Sequence, residues 1–180
     1  SIVEDELGSI KFEVTPLNQD AEIRFDPYLD GSITNTDANW EERFWETLEV
    51  KEDSERGYIV SKTLKTGFHV GTFMQSEILL NNEKVATEAT SSVGEDRISF
   101  AYKVKTAKQE TAAIIKYAGY VSDMNHKKEQ LIEAAGNVLD SATSKGFESL
   151  KKDQKEAWAS IWEMVDITIS GDVKAQQGIR

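Results

Sequence analysis

The chain has 180 residues, with 21 Lys and Arg against 32 Asp and Glu, no cysteine and a formal net charge of −11. Such a charge opposes association with nucleic acid or an anionic membrane surface, so neither is expected as a partner. A chain of this length builds a core without disulfide or metal crosslinks. No apolar run reaches the ~20 residues of a membrane-spanning helix, and the first residues lack a signal peptide's pattern. We therefore expect a globular domain in the cytoplasm.

The first two-thirds of the chain alternates between apolar and polar residues, which is typical of β-strands. The first two apolar series are Ile10, Phe12 and Val14, and then Ala21, Ile23 and Phe25. We predict that these two segments form an antiparallel hairpin. Further strands are predicted at about residues 44–51, 57–66, 68–80, 84–93, 96–106 and 109–121. Asn81-Asn82 tolerates left-handed backbone and predicts a tight turn between two of them. Regular spacing without intervening helices predicts antiparallel sheets stacked as a sandwich.

Near Asp123 the period changes to that of helices. A first helix is predicted from about Lys127 to Ala142, with a break at Gly146. A second helix of about 18 residues follows, and its apolar side carries Phe147, Leu150, Ala157, Trp158, Ile161, Trp162 and Val165. Residues 165–170 are predicted to form a short strand, and Asp172 to cap a terminal helix.

This order of elements predicts a mainly β, α+β fold. We assign residues 1–122 to part of a β-sandwich domain and residues 123–165 to a helical linker. Residues 166–180 are assigned to the short strand and an interrupted helix, which suggests that both ends are boundaries within a longer chain.

Few residues qualify for catalysis or metal binding. His69 is expected to pack in a sheet and His126 to be solvated, and neither has a partner at zinc-ligand spacing. Asn35, Asp37 and Asn39 alternate as in a calcium loop, but position 40 lacks the glycine of that motif, so Asx turns are expected. The carboxylates of residues 41–55 are expected to form a solvated face. No catalytic, cofactor-binding or metal-binding residue is assigned.

Aromatic residues are the more unusual feature. Trp40, Phe44 and Trp45 stand beside polar turn residues, where large aromatic side chains can form a sugar-stacking platform or an interface anchor. Core packing is the default expectation for them. Trp158 and Trp162 are four residues apart and share one helical face, so we expect them to dock that helix. These five residues are the candidate interface.

Several longer strings resemble glycoside hydrolase family 65. They are Asp5-Glu6-Leu7-Gly8, Thr15-Pro16-Leu17-Asn18, Pro27-Tyr28-Leu29-Asp30-Gly31, Asn35-Thr36-Asp37-Ala38-Asn39 with Phe44-Trp45, Trp158-Ala159-Ser160-Ile161-Trp162, Ile167-Thr168-Ile169-Ser170-Gly171-Asp172 and Ala175-Gln176-Gln177-Gly178-Ile179-Arg180. The resemblance covers both ends of the chain. It implies an N-terminal super-β-sandwich of the galactose-mutarotase type, a helical linker and a catalytic α/α barrel, with this chain beginning inside the sandwich.

The resemblance also implies a chemistry. Family members cleave an α-glucosidic disaccharide with inorganic phosphate and inversion, releasing β-glucose 1-phosphate, and they use neither metal nor nucleotide. The general acid is a barrel glutamate that would lie beyond Arg180. We expect maltose as the substrate, with trehalose, kojibiose and nigerose as alternatives. The expected partners are the barrel of the same polypeptide and a second subunit of a homodimer. An autonomous carbohydrate-binding module and a stand-alone hydrolase are the competing functions.

Overall fold

The computed structural model describes residues 4–34 and 43–179. Its strands are β1 Leu7–Val14, β2 Ala21–Phe25, β3 Tyr28–Asp30, β4 Trp45–Asp53, β5 Arg56–Thr63, β6 His69–Leu80, β7 Glu83–Lys84, β8 Thr90–Val93, β9 Arg97–Thr106 and β10 Ala112–Ser122. A 3₁₀ turn at Lys128–Gln130 leads into α1 Leu131–Lys145, which is followed by α2 Phe147–Val165 and α3 Val173–Ile179. None of the helices in these ranges is long and apolar enough to cross a membrane.

The strands form two antiparallel sheets. The larger has the order β1-β10-β6-β5-β4, with β7 paired to β6, and the smaller is built on β9. β2 and β3 lie along the same edge of β9 in continuous register, since Phe25 faces Tyr102 and Tyr28 faces Ser99. β8 also pairs with β9. The prediction of a mainly antiparallel β-sandwich with helices at the C-terminal end is confirmed.

The predicted hairpin between the first two strands is wrong. β1 pairs with β10 of the larger sheet, whereas β2 pairs with β9 of the smaller one. The polar residues between these strands therefore carry the chain from one sheet to the other. Alternation shows that each strand has one apolar face, but it does not identify the neighbour with which a strand pairs.

Two apolar layers hold the domain together. Between the sheets, the largest fully buried side chains are Tyr102, Phe100, Ile59, Met74 and Ile98. On the outer face of the larger sheet, α1 buries Leu131, Ala135, Leu139 and Ala142 against residues such as Phe73 and Tyr117. The apolar stripe predicted for the first helix is therefore the face that contacts the sheet.

Most of the turns and element ends that the sequence predicts are observed in the structure. Asn81 and Asn82 have φ of 50° and 68° and join β6 to β7, as predicted. The strand predicted at 84–93 is instead two short strands, β7 and β8. The first helix begins at Leu131 rather than Lys127, because a 3₁₀ turn precedes it. Gly146, with φ of 76°, ends α1 as expected.

The short strand predicted at residues 165–170 is wrong. Val165 ends α2, and no strand pairs with residues 166–170 in the described structure. The side chain of Gln176 bonds this backbone instead: its Oε1 accepts from the Ile169 N–H at 2.6 Å, and its Nε2 donates to the Ile167 carbonyl at 2.9 Å. The predicted cap is confirmed, since Asp172 Oδ1 accepts from two backbone N–H groups of α3 at 3.0 Å.

Candidate functional site

Helix α2 extends beyond the sandwich and carries two of the predicted interface residues. Trp158 and Trp162 stack with ring centroids 6.2 Å apart and planes 26° apart. Their side chains stay 41% and 37% exposed. Leu150, in the second turn of α2, is the only buried residue between Phe147 and Val165. The two indoles therefore contact each other on a part of the helix that the sandwich leaves open, and the expectation that they dock this helix is not met within the described residues.

The exposed apolar surface continues past the tryptophans. Met164, Val165 and Ile167 are 78%, 58% and 56% exposed, and Val173 of α3 is 83% exposed. None of residues 151–179 is buried. We call residues 151–179 the C-terminal arm. Several large apolar side chains left exposed along one segment of a folded domain are typical of a contact with another protein surface.

Of the other predicted interface residues, Phe44 and Trp45 lie at the β4 edge of the larger sheet. Trp40 lies outside the described residues, as do Asn35, Asp37 and Asn39 of the calcium-like pattern. Phe44 is 38% exposed and Trp45 is half-buried. Both line a pocket of about 600 Å³ beside the β5–β6 turn. The Leu64 N–H donates to the Phe44 carbonyl at 2.9 Å and holds that turn against Phe44.

A groove that the sequence did not reveal opens between the two sheets. It has a volume of about 760 Å³ and lies between β1, β10 and β3. Tyr28 and Tyr120, which line it, are 46% and 66% exposed. Lys116 Nζ donates to the Tyr28 carbonyl at 2.7 Å, and burial lowers the pKa of this lysine. Sequence patterns could not show the groove, because its walls come from strands of different sheets.

Both histidines pair with carboxylates. His69 Nδ1 lies 3.0 Å from Asp123 Oδ2, which also accepts the His69 backbone N–H at 3.0 Å. These hydrogen bonds lower the pKa of Asp123. His126 Nε2 lies 2.8 Å from Glu6 Oε1, so the prediction that His126 is simply solvated is wrong. Each pair joins segments far apart in sequence.

The carboxylates of β4 show no catalytic arrangement. Glu46, Glu49 and Glu52 are exposed, which confirms the predicted solvated face for these residues. Within residues 4–34 and 43–179, no three His, Asp or Glu side chains gather closely enough to hold a metal ion. Among the described residues, the surfaces best suited to contact a partner are therefore the C-terminal arm, the Phe44 pocket and the groove.

Comparison with known proteins identifies the family. Residues 1–161 match the model of the glycosyl hydrolase family 65 N-terminal domain. The chain belongs to family 65. Its sandwich also resembles a solved human-microbiome protein described as a candidate kojibiose phosphorylase, with a TM-score of 0.81 at 20% identity over 97% of this chain and 22% of that one.

Curated relatives of this family 65 domain are disaccharide phosphorylases. Maltose phosphorylase of Bacillus subtilis is 29% identical over 180 residues, which is 100% of this chain and 23% of the relative. The α,α-trehalose phosphorylase of Thermoanaerobacter brockii is 26% identical over 100% of this chain and 24% of its own length. A kojibiose phosphorylase of Caldanaerobacter subterraneus is 22% identical over 96% of this chain and 23% of its own. The chain thus spans less than a quarter of the length of these relatives.

Proposed function

We propose that this family 65 domain is the non-catalytic N-terminal portion of an inverting phosphorylase. The enzyme cleaves maltose with inorganic phosphate and releases β-glucose 1-phosphate and glucose. The observation that supports maltose is the 29% identity to a maltose phosphorylase along the whole chain. Trehalose and kojibiose, the substrates named for the relatives at 26% and 22% identity, are the competing specificities, together with nigerose.

The reacting groups belong, in this proposal, to the part of the enzyme outside residues 1–180. The support is the length of the relatives, since a whole-chain match accounts for only 23% of the maltose phosphorylase. Phosphate acts as a co-substrate, and the reaction needs neither metal nor nucleotide. We further propose that the enzyme is a cytoplasmic homodimer.

The domain itself acts as a scaffold for the catalytic domain. Its contact surface is the C-terminal arm, with Trp158 and Trp162 as anchors. Paired indoles with more than a third of their surface exposed gain the most from burial against a partner, because aromatic residues dominate the energetics of protein interfaces. The Phe44 pocket provides a second contact in the same proposal.

A substrate panel tests the enzymatic part. The full-length enzyme is incubated with phosphate and, in turn, maltose, trehalose, kojibiose or nigerose, and ¹H NMR follows the anomeric signal of glucose 1-phosphate. We expect β-glucose 1-phosphate and the highest kcat/KM with maltose. A higher kcat/KM with another disaccharide would replace maltose in the proposal, and the α-anomer would contradict inversion.

Carbohydrate binding by the domain alone is the second candidate, and the groove favours it. The exposed Tyr120 ring, beside polar side chains of the groove, is suited to stacking against a sugar face. Calorimetry of residues 1–180 with maltose and malto-oligosaccharides tests this function. Binding that Tyr120→Ala abolishes and Phe68→Ala, at an exposed aromatic outside the groove, preserves would establish it. A scaffold alone should give no heat of binding.

A further inference from the structure

The α2 helix has only a small apolar contact with the sandwich. Leu150 is buried and Phe147 is partly buried against the layer that α1 forms with the larger sheet. Next to these residues a cleft of about 300 Å³ lies between α2 and β1, lined also by Gln154. The helix has 19 residues and is about 28 Å long, so its apolar contact holds one end only.

The connection between α1 and α2 is a single glycine. Gly146 has φ of 76° and ψ of 157°, and nothing lies within 4 Å of a Cβ built on it. A conformation of this kind is one that glycine adopts readily and other residues rarely do. The link therefore supplies a bend between the helices without side-chain packing to fix its angle.

A second contact comes from Lys145, the last residue of α1. Its Nζ lies 2.7 Å from Asp153 Oδ2 on α2 and 3.5 Å from Glu4 Oε1 in the segment before β1. The hydrogen bond with Asp153 raises the pKa of Lys145, so the ammonium group stays charged. One cation thus bridges α1, α2 and the start of the described chain.

The Glu4 end of this bridge belongs to a well-anchored segment. The Glu6 carbonyl accepts from the Tyr120 N–H at 3.2 Å, and the Glu6 side chain lies 2.8 Å from His126. Through Glu4, Lys145 therefore contacts a segment that is itself bonded to β10 and to the loop before α1. Asp153, in turn, lies in the second turn of α2, beyond the apolar contact.

We infer that Lys145, together with Glu4 and Asp153, is an ionic latch that sets the direction of α2, and with it the C-terminal arm, relative to the sandwich. The apolar contact at Phe147 and Leu150 holds the start of α2 in place, while the latch restricts rotation of α2 about Gly146. The latch is a property of this chain alone. Only its use, to present Trp158 and Trp162 to a catalytic domain, rests on the proposed function.

Spin labels can report the direction of the arm directly. The chain has no cysteine, so Lys105→Cys on β9 and Lys155→Cys on α2 provide two unique and exposed labelling sites. Double electron–electron resonance then gives the distribution of distances between sandwich and arm in the 180-residue chain. Lys145→Met is the test variant, and Lys152→Met is its matched control, because Lys152 pairs with Glu156 inside α2.

We expect Lys145→Met to make the distance distribution measurably wider, since it removes the ionic restraint between α1 and α2, and Lys152→Met to leave it unchanged. Lys145→Arg should restore the narrow distribution. About 1 M salt should broaden the parent distribution, because it shortens the screening length to about 3 Å. Asp153→Asn repeats the test from the α2 side if Lys145→Met does not fold. Equal widths for Lys145→Met, Asp153→Asn and the control would overturn the latch, whatever the enzyme's substrate is.

Discussion

The backbone of Glu6 lies directly against Gly119, so that a Cβ at position 119 would overlap the Glu6 carbonyl. The same carbonyl accepts a hydrogen bond from the Tyr120 N–H at 3.2 Å. A side chain at position 119 would thus separate the segment before β1 from β10. The same segment carries Glu4 and Glu6, whose side chains pair with Lys145 and His126.

Gly119→Ala should destabilise the domain. The added methyl group meets the Glu6 backbone as well as the ring of the buried Phe73, and overpacking of this kind costs typically about 1–3 kcal/mol. Gly8→Ala is the matched control on the facing strand, where the nearest atom to a new Cβ is the Ala118 carbonyl at an ordinary 3.6 Å. Urea denaturation measures both free energies of unfolding. Equal losses in the two variants would show that the Glu6 contact is not the cause.

Removal of the hydroxyl group should change the free energy of unfolding differently at Tyr102 and at Tyr117. Tyr102 is 2% exposed, its hydroxyl has no hydrogen-bond partner among the described residues, and burial raises its pKa to about 12. The equally buried Tyr117 hydroxyl donates to Glu77 Oε2 at 3.2 Å.

Tyr102→Phe should therefore leave the free energy of unfolding unchanged or raise it, because it removes a buried polar group without a partner. Tyr117→Phe should lower it by about 1.5–3 kcal/mol, the range for hydrogen bonds to charged groups. Denaturation curves of both variants at neutral pH provide the comparison. A larger loss for Tyr102→Phe than for Tyr117→Phe would contradict the assigned hydrogen bonds.

Asp123 should make the stability of the domain depend on acid pH. Hydrogen bonds from His69 lower its pKa below 3.8; the bond from the backbone N–H has the larger effect and the bond from the ring the smaller one. A lowered carboxyl pKa stabilises the fold above the unfolded pKa of about 3.9, and that stability is lost as pH falls through the lower folded value.

Asp123→Asn should consequently be less stable than the parent at pH 7, and the difference should shrink as pH falls below about 4. Thermal denaturation across pH 3 to 7 measures it, with Glu49→Gln at an exposed position of β4 as the control. A difference that stays constant over this range would assign the effect of Asp123→Asn to packing rather than charge.

Trp158→Ala and Trp162→Ala should weaken the full-length enzyme far more than they weaken residues 1–180. The indoles are exposed in this chain but buried against the catalytic domain in our proposal. We expect a fall in melting temperature of several degrees in the enzyme and almost none in the domain. Phe12→Ala, at an exposed aromatic of β1 outside the arm and the Phe44 pocket, is the control. Unchanged melting temperatures in the enzyme would remove the arm from the interface.

The success of the sequence predictions depends on the range of the interactions involved. The turn at Asn81-Asn82 and the cap at Asp172 are local, so the residues themselves specify them. The pairing of β1 with β10 joins residues about one hundred positions apart, and alternation carries no information on such a pairing.

The candidate site shows the same limit. The interface potential of Trp158 and Trp162 follows from their helical spacing, and the structure adds that the sandwich leaves them open. The groove beside Tyr28 and the bridge at Lys145 bring together residues of separate elements. Short-range patterns cannot place such residues side by side.

The activity of residues 1–180 by themselves decides whether this domain is non-catalytic. The purified domain is mixed with maltose and inorganic phosphate, and NMR monitors formation of β-glucose 1-phosphate and of free glucose, beside the full-length enzyme as the positive control. We predict turnover by the full-length enzyme and none by the domain. Product formation by the domain, abolished by a single Asp or Glu substitution within it, would show that the chain carries its own catalytic groups and would contradict the account.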